Sequence, residues 1–197
     1  MAFEHAIALT GSISTGKSTT VKLLKSAGFH IIDADIIAHQ VLDGQHQAIS
    51  QMFGDAFVKE EKVDRKALGA VVFADEEKRK ALETLLHPLI YDEIKRLSIE
   101  EDKLGKPYFI DIPLFFETRR YPIEKSLVIY ATKEQQLERL IDREGYTKEE
   151  ALKRINTQIP VEEKRKLATY VIDNSGTLTQ LGQECERVKK EILNDSN

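Results

Sequence analysis

A single lysine among small and hydroxylic residues is the part of this sequence best suited to binding phosphate. The stretch ALTGSISTGKSTTVKLL fills residues 8–24, where it joins an apolar run to a helical pattern. The pattern G-x-x-x-x-G-K-[ST] is completed by Gly11, Gly16, Lys17 and Ser18. In such a P-loop, backbone N–H groups and the start of the following helix hold phosphates, Lys17 reaches the outer phosphates and Ser18 binds Mg²⁺. Because both flanks fit, the alternative of a glycine-rich turn that binds nothing is disfavoured.

Acidic residues close a second apolar run, IIDADIIAHQV, at residues 31–41. Asp33 or Asp35 can face a transferred phosphoryl group, orient the attacking hydroxyl and accept its proton. Asp35 fits equally well as the cap of a helix that begins at Ile36. A third acid, Asp111, lies in the run FIDIPLFFE, where it either holds Mg²⁺ through water or is a buried side chain bonded to the P-loop. Spacing alone leaves both pairs of alternatives open.

Basic residues are concentrated in a segment with a helical pattern at residues 139–160. Its basic residues include Arg139, Arg143, Lys153 and Arg154, and its helical stretches are punctuated by Gly145 and Pro160. Charge that spreads over phosphoryl oxygens during transfer is neutralised better by the forked guanidinium of arginine than by lysine. We expect two or three of these side chains to contact phosphate, the others to form a solvated helix face, and the segment to move as a lid.

Five short apolar runs between helical patterns predict the elements that position these side chains. The runs occupy residues 6–11, 30–34, 108–114, 126–131 and 170–174. Such runs, rich in Ile and Val, are typical of buried parallel strands joined by right-handed crossovers. We therefore predict an α/β protein with a P-loop NTPase fold, in which a five-stranded parallel sheet has helices on both faces. Ligands bind such sheets beyond the carboxyl ends of the strands.

The chain between the second and third runs is predicted to be helical. Its helices are expected near residues 35–42, 46–53, 64–73 and 75–102. Pro88 interrupts the last pattern at a cost of about 3 kcal/mol in a helix interior, which predicts a kink or break there. This insertion is expected to form a helical subdomain over the edge of the sheet where ligands bind.

Composition is that of a globular chain with its own core. The 197 residues are 41% hydrophobic and 31% charged, with a net charge of −4 that argues against a nonspecific nucleic-acid binder. No membrane span or signal peptide is evident, so the cytoplasm is the expected location. The single cysteine, Cys185, excludes an internal disulfide. A small core residue of the last helix is predicted there from the series Leu178, Leu181, Cys185, Val188 and Ile192.

A P-loop fixes nucleotide binding but leaves the reaction open. A regulatory GTPase needs N-K-x-D before a late helix, and this string does not occur in the sequence. A motor or transporter ATPase is normally longer. A small-molecule kinase needs an acceptor pocket, a positioned carboxylate and mobile arginines, and this chain has candidates for all three. A kinase is therefore favoured over a nucleotide-dependent binding module without turnover.

Seven pieces in the same order resemble the dephospho-CoA kinase family nearly from end to end. They are LTGSISTGKST at 9–19, IIDADIIAHQV at 31–41, VDRKALGAVVF at 63–73, LETLLHPLI at 82–90, IPLFFE at 112–117, RLIDREGYTKEEALKRINTQ at 139–158 and YVIDNSG at 170–176. The P-loop alone does not separate this family from other kinases, whereas the pieces together do. The resemblance implies ATP-dependent phosphorylation of the ribose 3'-hydroxyl of dephospho-CoA, with Mg²⁺ accompanying ATP, as the last step of coenzyme A synthesis.

The resemblance also assigns roles to residues of this sequence. It implies that Asp35 is the base and that the catalytic residues are Asp35, Lys17 and Arg139. The implied ATP-binding residues are Gly11, Ser14, Thr15, Gly16, Lys17, Ser18, Thr19, Arg143 and Asn174, the last near adenine. The implied acceptor-binding residues are Asp35, Arg65, His87 and Arg154. The predicted metal ligands, Ser18 and Asp111, come from the P-loop pattern and the core strand described above. His87 fits a locally satisfied histidine at a helix end equally well.

One P-loop kinase domain with three parts follows from the resemblance. The parts are a core at 1–34, 106–138 and 161–197, a helical CoA-binding subdomain at 35–105 and a lid at 139–160. The expected partners are the small molecules ATP and dephospho-CoA, with no nucleic acid and no membrane, for a monomer or small homo-oligomer. The sequence departs from the family at Ser12 and Thr15, where Gly and Ser are commoner. Ser12 would be strained if its φ were positive.

Overall fold

Two compact units make up the computed structural model, which describes residues 2–196. The larger unit runs up to Ile32 and resumes at Ser98, and the smaller unit is Asp33–Leu97. Within residues 2–196, no helix has the length and apolar character to cross a bilayer.

The larger unit is built on a five-stranded sheet. In chain order the strands of the protein are β1 Ala6–Gly11, β2 Ile31–Asp33, β3 Val58–Lys59, β4 Lys62–Val63, β5 Tyr108–Asp111, β6 Lys125–Tyr130 and β7 Tyr170–Asp173. The sheet has the order β2-β5-β1-β6-β7, and the pairs β1–β5, β1–β6 and β6–β7 are parallel. Each of the five predicted runs overlaps one of these strands, so the predicted parallel sheet is confirmed. The carboxyl ends of β1 and β5 therefore bring the P-loop and Asp111 to one edge.

Ten α-helices are found among the described residues. They are α1 Lys17–Ser26, α2 Ala34–Gly44, α3 His46–Phe53, α4 Arg65–Ala74, α5 Glu76–Asp102, α6 Phe115–Thr118, α7 Lys133–Glu144, α8 Lys148–Ile155, α9 Val161–Leu167 and α10 Leu178–Asn194. Capping boxes start α7, α8 and α10, at Thr132, Thr147 and Thr177. Gly145 ends α7 with a φ of 70°, and Pro160 precedes α9, so both residues punctuate the basic segment as predicted.

The last helix packs one face against the sheet. Leu181, Cys185, Val188 and Ile192 are each at most 3% exposed and share a cluster with Leu127 of β6 and other strand residues. Cys185 is thus confirmed as a core residue. Leu178, the first member of that series and the first residue of α10, is 68% exposed and does not join this core. A periodic series fixes the buried face of a helix but not the turn at which burial begins.

The smaller unit has a core of its own. Its buried members are Leu42, Ile49, Val63, Leu68, Val72 and Leu86. The four predicted helices are confirmed. Of the kink or break predicted at Pro88, the break is wrong, because α5 continues through it. Leu82, Leu85, Leu86 and Ile90 pack on both sides of the proline, and this packing offsets the lost hydrogen bond. The strand prediction missed the β3–β4 hairpin, whose two-residue strands are too short for a periodic signal.

Candidate active site

Two glycines of the P-loop are required by close approach of other groups. A Cβ on Gly11 would lie 2.7 Å from Thr15 Oγ1, and one on Gly16 would collide with Asn174 Nδ2. Gly16 also has a φ of 90°, in the left-handed region, directly before α1. The two glycines of the motif therefore permit a loop that a side chain at either position would distort.

The strained residue of the loop is Ser14 rather than Ser12. Ser14 has a φ of 58°, while Ser12 does not have a positive φ. The strain considered for Ser12 from the sequence is therefore not present. Instead, the Ser12 carbonyl accepts a hydrogen bond from Thr15 Oγ1 at 2.9 Å, so the two residues interact with each other.

A side-chain brace holds the far end of the loop. Asn174, 8% exposed, donates from Nδ2 to the Thr15 carbonyl at 2.8 Å. Arg139 donates from Nη2 to the Asn174 carbonyl at 2.9 Å. Its other terminal nitrogen, Nη1, lies 3.9 Å from the position of a Gly16 Cβ, and it is buried without a hydrogen-bond partner among the described residues. Arg139 thus adds a cation beside the loop, with one buried donor that has no partner within residues 2–196.

Lys17 is paired with Asp111 at the end of β5. Lys17 Nζ contacts Asp111 Oδ1, and Asp111 is 5% exposed. Of the two alternatives for Asp111, the bond to the P-loop is thus observed. A buried carboxylate needs such a partner, because its desolvation would otherwise be costly.

A cavity of about 430 Å³ lies over the loop, within the size range of small-molecule ligand sites. It is lined by residues 11–19 with Pro113, Arg143 and Gln158. The first helical N–H groups after Gly16 have no side-chain cap, so the positive end of α1 is open to an anion. Ser14 Oγ is a further buried polar atom without a partner in the described chain. These donors suit the oxygens of a nucleotide polyphosphate.

The two acids at the start of α2 differ in their surroundings: Asp33 caps the helix and Asp35 is exposed. Asp33 Oδ1 accepts hydrogen bonds from the N–H groups of Asp35 and Ile36, both at 3.0 Å, so Asp33 is the cap of α2. The alternative in which Asp35 caps this helix is wrong, since α2 begins one residue before it. Asp35 is exposed in the first turn.

The other predicted site residues are distributed over both units. Arg65, the exposed first residue of α4, and the half-buried His87 of α5 belong with Asp35 to the smaller unit. In the larger unit, Arg143 lines the P-loop cavity and also pairs with Glu144. Arg154 lies over the Tyr146 ring, 4.4 Å from its centroid, which orders the α7–α8 turn. Ser18 and Thr19 are exposed at the start of α1.

Metal binding at this site would rely on few protein ligands. Among residues 2–196, no group of three or more His, Cys, Asp or Glu side chains could hold a metal ion. Mg²⁺ with a nucleotide needs only one or two protein oxygens, because phosphates and water supply the rest. Ser18 and the carboxylate of Asp111, next to Lys17, therefore fit a magnesium–nucleotide complex rather than a metal held by the protein alone.

Three residues of the site were not singled out from the sequence. Gln158 Oε1 accepts from the Ile13 N–H at 3.0 Å, and Lys164 Nζ donates to the Gly11 carbonyl at 2.9 Å. Glu117 pairs with Lys164 at 2.7 Å. Glu117 and Gln158 end two of the segments that resemble the family, and this position could have pointed to them. Lys164 lies in the charged run EEKRK, which is typical of an exposed helix face.

The sheet order and the loop after β1 define an α/β protein with a P-loop NTPase fold. Residues 5–180 match the family model described as dephospho-CoA kinase. The chain belongs to the dephospho-CoA kinase family.

Similar proteins cover nearly the whole chain. A dephospho-CoA kinase of Sulfurimonas denitrificans is 50% identical over 98% of this chain and 96% of its own length. One from Helicobacter pylori strain 26695 is 44% identical over 98% of this chain and 100% of its own. The solved structure of a Campylobacter jejuni dephospho-CoA kinase has a TM-score of 0.73 at 38% identity and covers 95% of this chain and 97% of its own. A solved structure from Thermus thermophilus has a TM-score of 0.76 at 38% identity and covers 94% of this chain and 96% of its own.

Proposed function

We propose that this protein transfers the γ-phosphoryl group of ATP to the ribose 3'-hydroxyl of dephospho-CoA and so makes coenzyme A and ADP, the last step of coenzyme A synthesis. The observation that carries the proposal is membership of the dephospho-CoA kinase family over residues 5–180. The P-loop cavity supports it, because its donors suit a triphosphate.

In this reaction the 3'-oxygen forms a bond to the γ-phosphorus while the bond from that phosphorus to the β,γ-bridging oxygen breaks. ADP leaves with the electron pair of the broken bond, and the hydroxyl proton passes to Asp35. Asp35 suits this role because Asp33 already caps α2, which leaves the Asp35 carboxylate for the acceptor. Lys17 exchanges Asp111 for the phosphates when the nucleotide binds.

Positive charge for the transition state comes from Lys17, Arg139 and Arg143. Charge on the transferred group spreads over its oxygens, and fixed cations near the P-loop stabilise it. Mg²⁺ bound with ATP would supply further charge neutralisation, with Ser18 and Asp111 as the protein groups that hold it. In this assignment Arg139 is the catalytic arginine, because its buried Nη1 has no partner within residues 2–196.

The parts of the chain take the roles implied by the family. The helical subdomain at 35–105 binds the acceptor through Asp35, Arg65 and His87. The segment at 139–160 closes as a lid, with Arg143 toward ATP and Arg154 toward the acceptor, and Asn174 lies near adenine. The core is 1–34, 106–138 and 161–197. A cytoplasmic location and a monomeric or small homo-oligomeric state stay predictions.

The test is ADP release from ATP and Mg²⁺, coupled to an optical readout, with dephospho-CoA, AMP or adenosine as acceptor. Turnover with dephospho-CoA alone, and a product with the mass of coenzyme A, is the expected result. Turnover only with AMP or adenosine would retain the kinase and reject the acceptor. No turnover that depends on an acceptor would favour a nucleotide-binding module.

A further inference from the structure

Lys164 is a charged side chain with no exposed surface. It lies in α9 at 0% exposure and is among the largest fully buried side chains of the described residues. Its ammonium group contacts Glu117 Oε1 at 2.7 Å and the Gly11 carbonyl at 2.9 Å. Taking an ammonium group out of water is costly, and a buried ion pair is often no more stable than apolar side chains of similar volume. Core stability alone therefore does not account for a lysine here.

The contacts of this pair reach both the P-loop and the chain that leaves the basic segment. Glu117 Oε1 also accepts a hydrogen bond from the Ile159 N–H at 3.1 Å. Gln158 Oε1 accepts from the Ile13 N–H at 3.0 Å. Ser12 Oγ donates to the Ile159 carbonyl at 3.4 Å.

These hydrogen bonds form a closed path. It runs from the Gly11 carbonyl through Lys164 and Glu117 to Ile159, and returns to the loop at Ser12. The first three residues of the P-loop are thus fastened to residues 158–159, about 150 positions later in the sequence, at the point where α8 has ended and α9 has not begun.

We propose that Lys164 and Glu117 are positioning residues that hold the entry of the P-loop and residues 158–159 as one rigid clamp. The clamp keeps the loop in its phosphate-binding shape, and it confines any movement of the basic segment to residues before 158. Neither residue lines the cavity, so both act through the loop rather than on the nucleotide. The inference rests on the proposed function only in that it requires the P-loop to bind a nucleotide.

The test replaces the pair by groups of similar size. In Lys164→Met/Glu117→Gln, the glutamine keeps an acceptor for the Ile159 N–H, and neither charge is left unpaired. The matched control is Lys166→Met/Glu163→Gln, which removes an exposed ion pair of the same helix with the same residue changes. The readouts are the Kd of ADP by calorimetry and amide hydrogen exchange of the nucleotide-free protein.

The double variant is expected to keep a melting temperature near that of the wild type while its Kd for ADP rises about tenfold, the effect of one misplaced charge-assisted hydrogen bond. Peptides over 11–15 and 157–160 should lose exchange protection together, and the control should change neither readout. Wild-type ADP affinity and exchange in a folded double variant would overturn the proposal.

If the double variant does not fold, Gln158→Leu is the second test of the clamp. It removes the acceptor for the Ile13 N–H and leaves the buried pair in place. Because Gln158 itself lines the cavity, only exchange is read in this variant. Faster exchange at 11–15 supports the clamp, whereas wild-type exchange there rejects it. Neither readout involves an acceptor. A chain that binds ADP but does not phosphorylate dephospho-CoA would therefore contradict the proposed function without touching this inference.

Discussion

At the scale of single residues, the two acids at the start of α2 have different roles, since Asp33 caps the helix and Asp35 is assigned to the chemistry. Asp35 is exposed and is not needed as a cap. Asparagine has nearly the same shape but cannot accept the proton of the attacking hydroxyl. We therefore expect Asp35→Asn to lower kcat at least about 100-fold, the usual contribution of a positioned base, while the KM for ATP stays within about twofold. Steady-state kinetics with dephospho-CoA measure both values, and a wild-type kcat would reject the role.

Asp33 provides the contrast to that variant. Its carboxylate accepts from two N–H groups of the first turn of α2. Asp33→Ala is expected to lower the free energy of unfolding by about 1 kcal/mol, whereas Asp33→Asn, which can still cap, should lose little. Urea denaturation measures this difference. If Asp33→Asn instead abolished turnover with stability unchanged, the base would have to be reassigned to Asp33.

Lys17 has a chemical role, as a phosphate ligand, and a structural role, as the partner of Asp111. Lys17→Ala removes the phosphate ligand and, with it, the ammonium group that pairs with the buried Asp111 carboxylate. We expect weaker ATP binding, lower kcat and a loss of about 1–3 kcal/mol in the stability of the nucleotide-free protein. The double variant Lys17→Ala/Asp111→Asn should recover part of the stability but none of the turnover. Recovery of turnover would contradict the role of Lys17.

At the scale of elements, the β3–β4 hairpin contains avoidable strain. Its two central residues, Glu60 and Glu61, have φ values of 49° and 61°, where asparagine and glycine are favoured. Glu60→Asn/Glu61→Gly should raise Tm by about 2–4 °C, equivalent to about 1 kcal/mol. Glu60→Gln/Glu61→Gln is the control, because it removes both charges and keeps the conformational cost. Equal Tm values for the two variants in calorimetry would contradict the strain argument.

Elements with strong periodicity could be predicted from the sequence, and elements decided by tertiary packing could not. The β1 run and the pattern of α10 predicted buried elements correctly, because burial on a fixed face leaves a repeating apolar signal. The continuity of α5 through Pro88 depends on leucines that pack around it. The P-loop could be predicted because its residues are consecutive. The clamp could not, because Lys164 meets Gly11 only in the folded chain.

At the scale of the whole molecule, Cys185 reports on the core between α10 and the sheet. It is 3% exposed, and burial, with smaller effects of Glu184 and Glu186, raises the pKa of its thiol to about 11. Because the thiolate is the reactive form, only about one folded molecule in a thousand has it at pH 8. Alkylation in the native state should therefore be at least about 100-fold slower than in urea. Comparable rates would mean that this core opens readily.

The same thiol makes stability depend on pH in a defined window. The fold favours the neutral thiol, so its contribution is fully present below the unfolded pKa near 9.0 and is lost as pH rises through the folded value of about 11. Between these values the wild type should lose about 2–3 kcal/mol more than Cys185→Ala, which lacks the titration. Other groups that titrate there are common to both proteins and cancel in the difference. Parallel stability curves from urea denaturation at pH 8–11 would show that the thiol ionises without unfolding the core around α10.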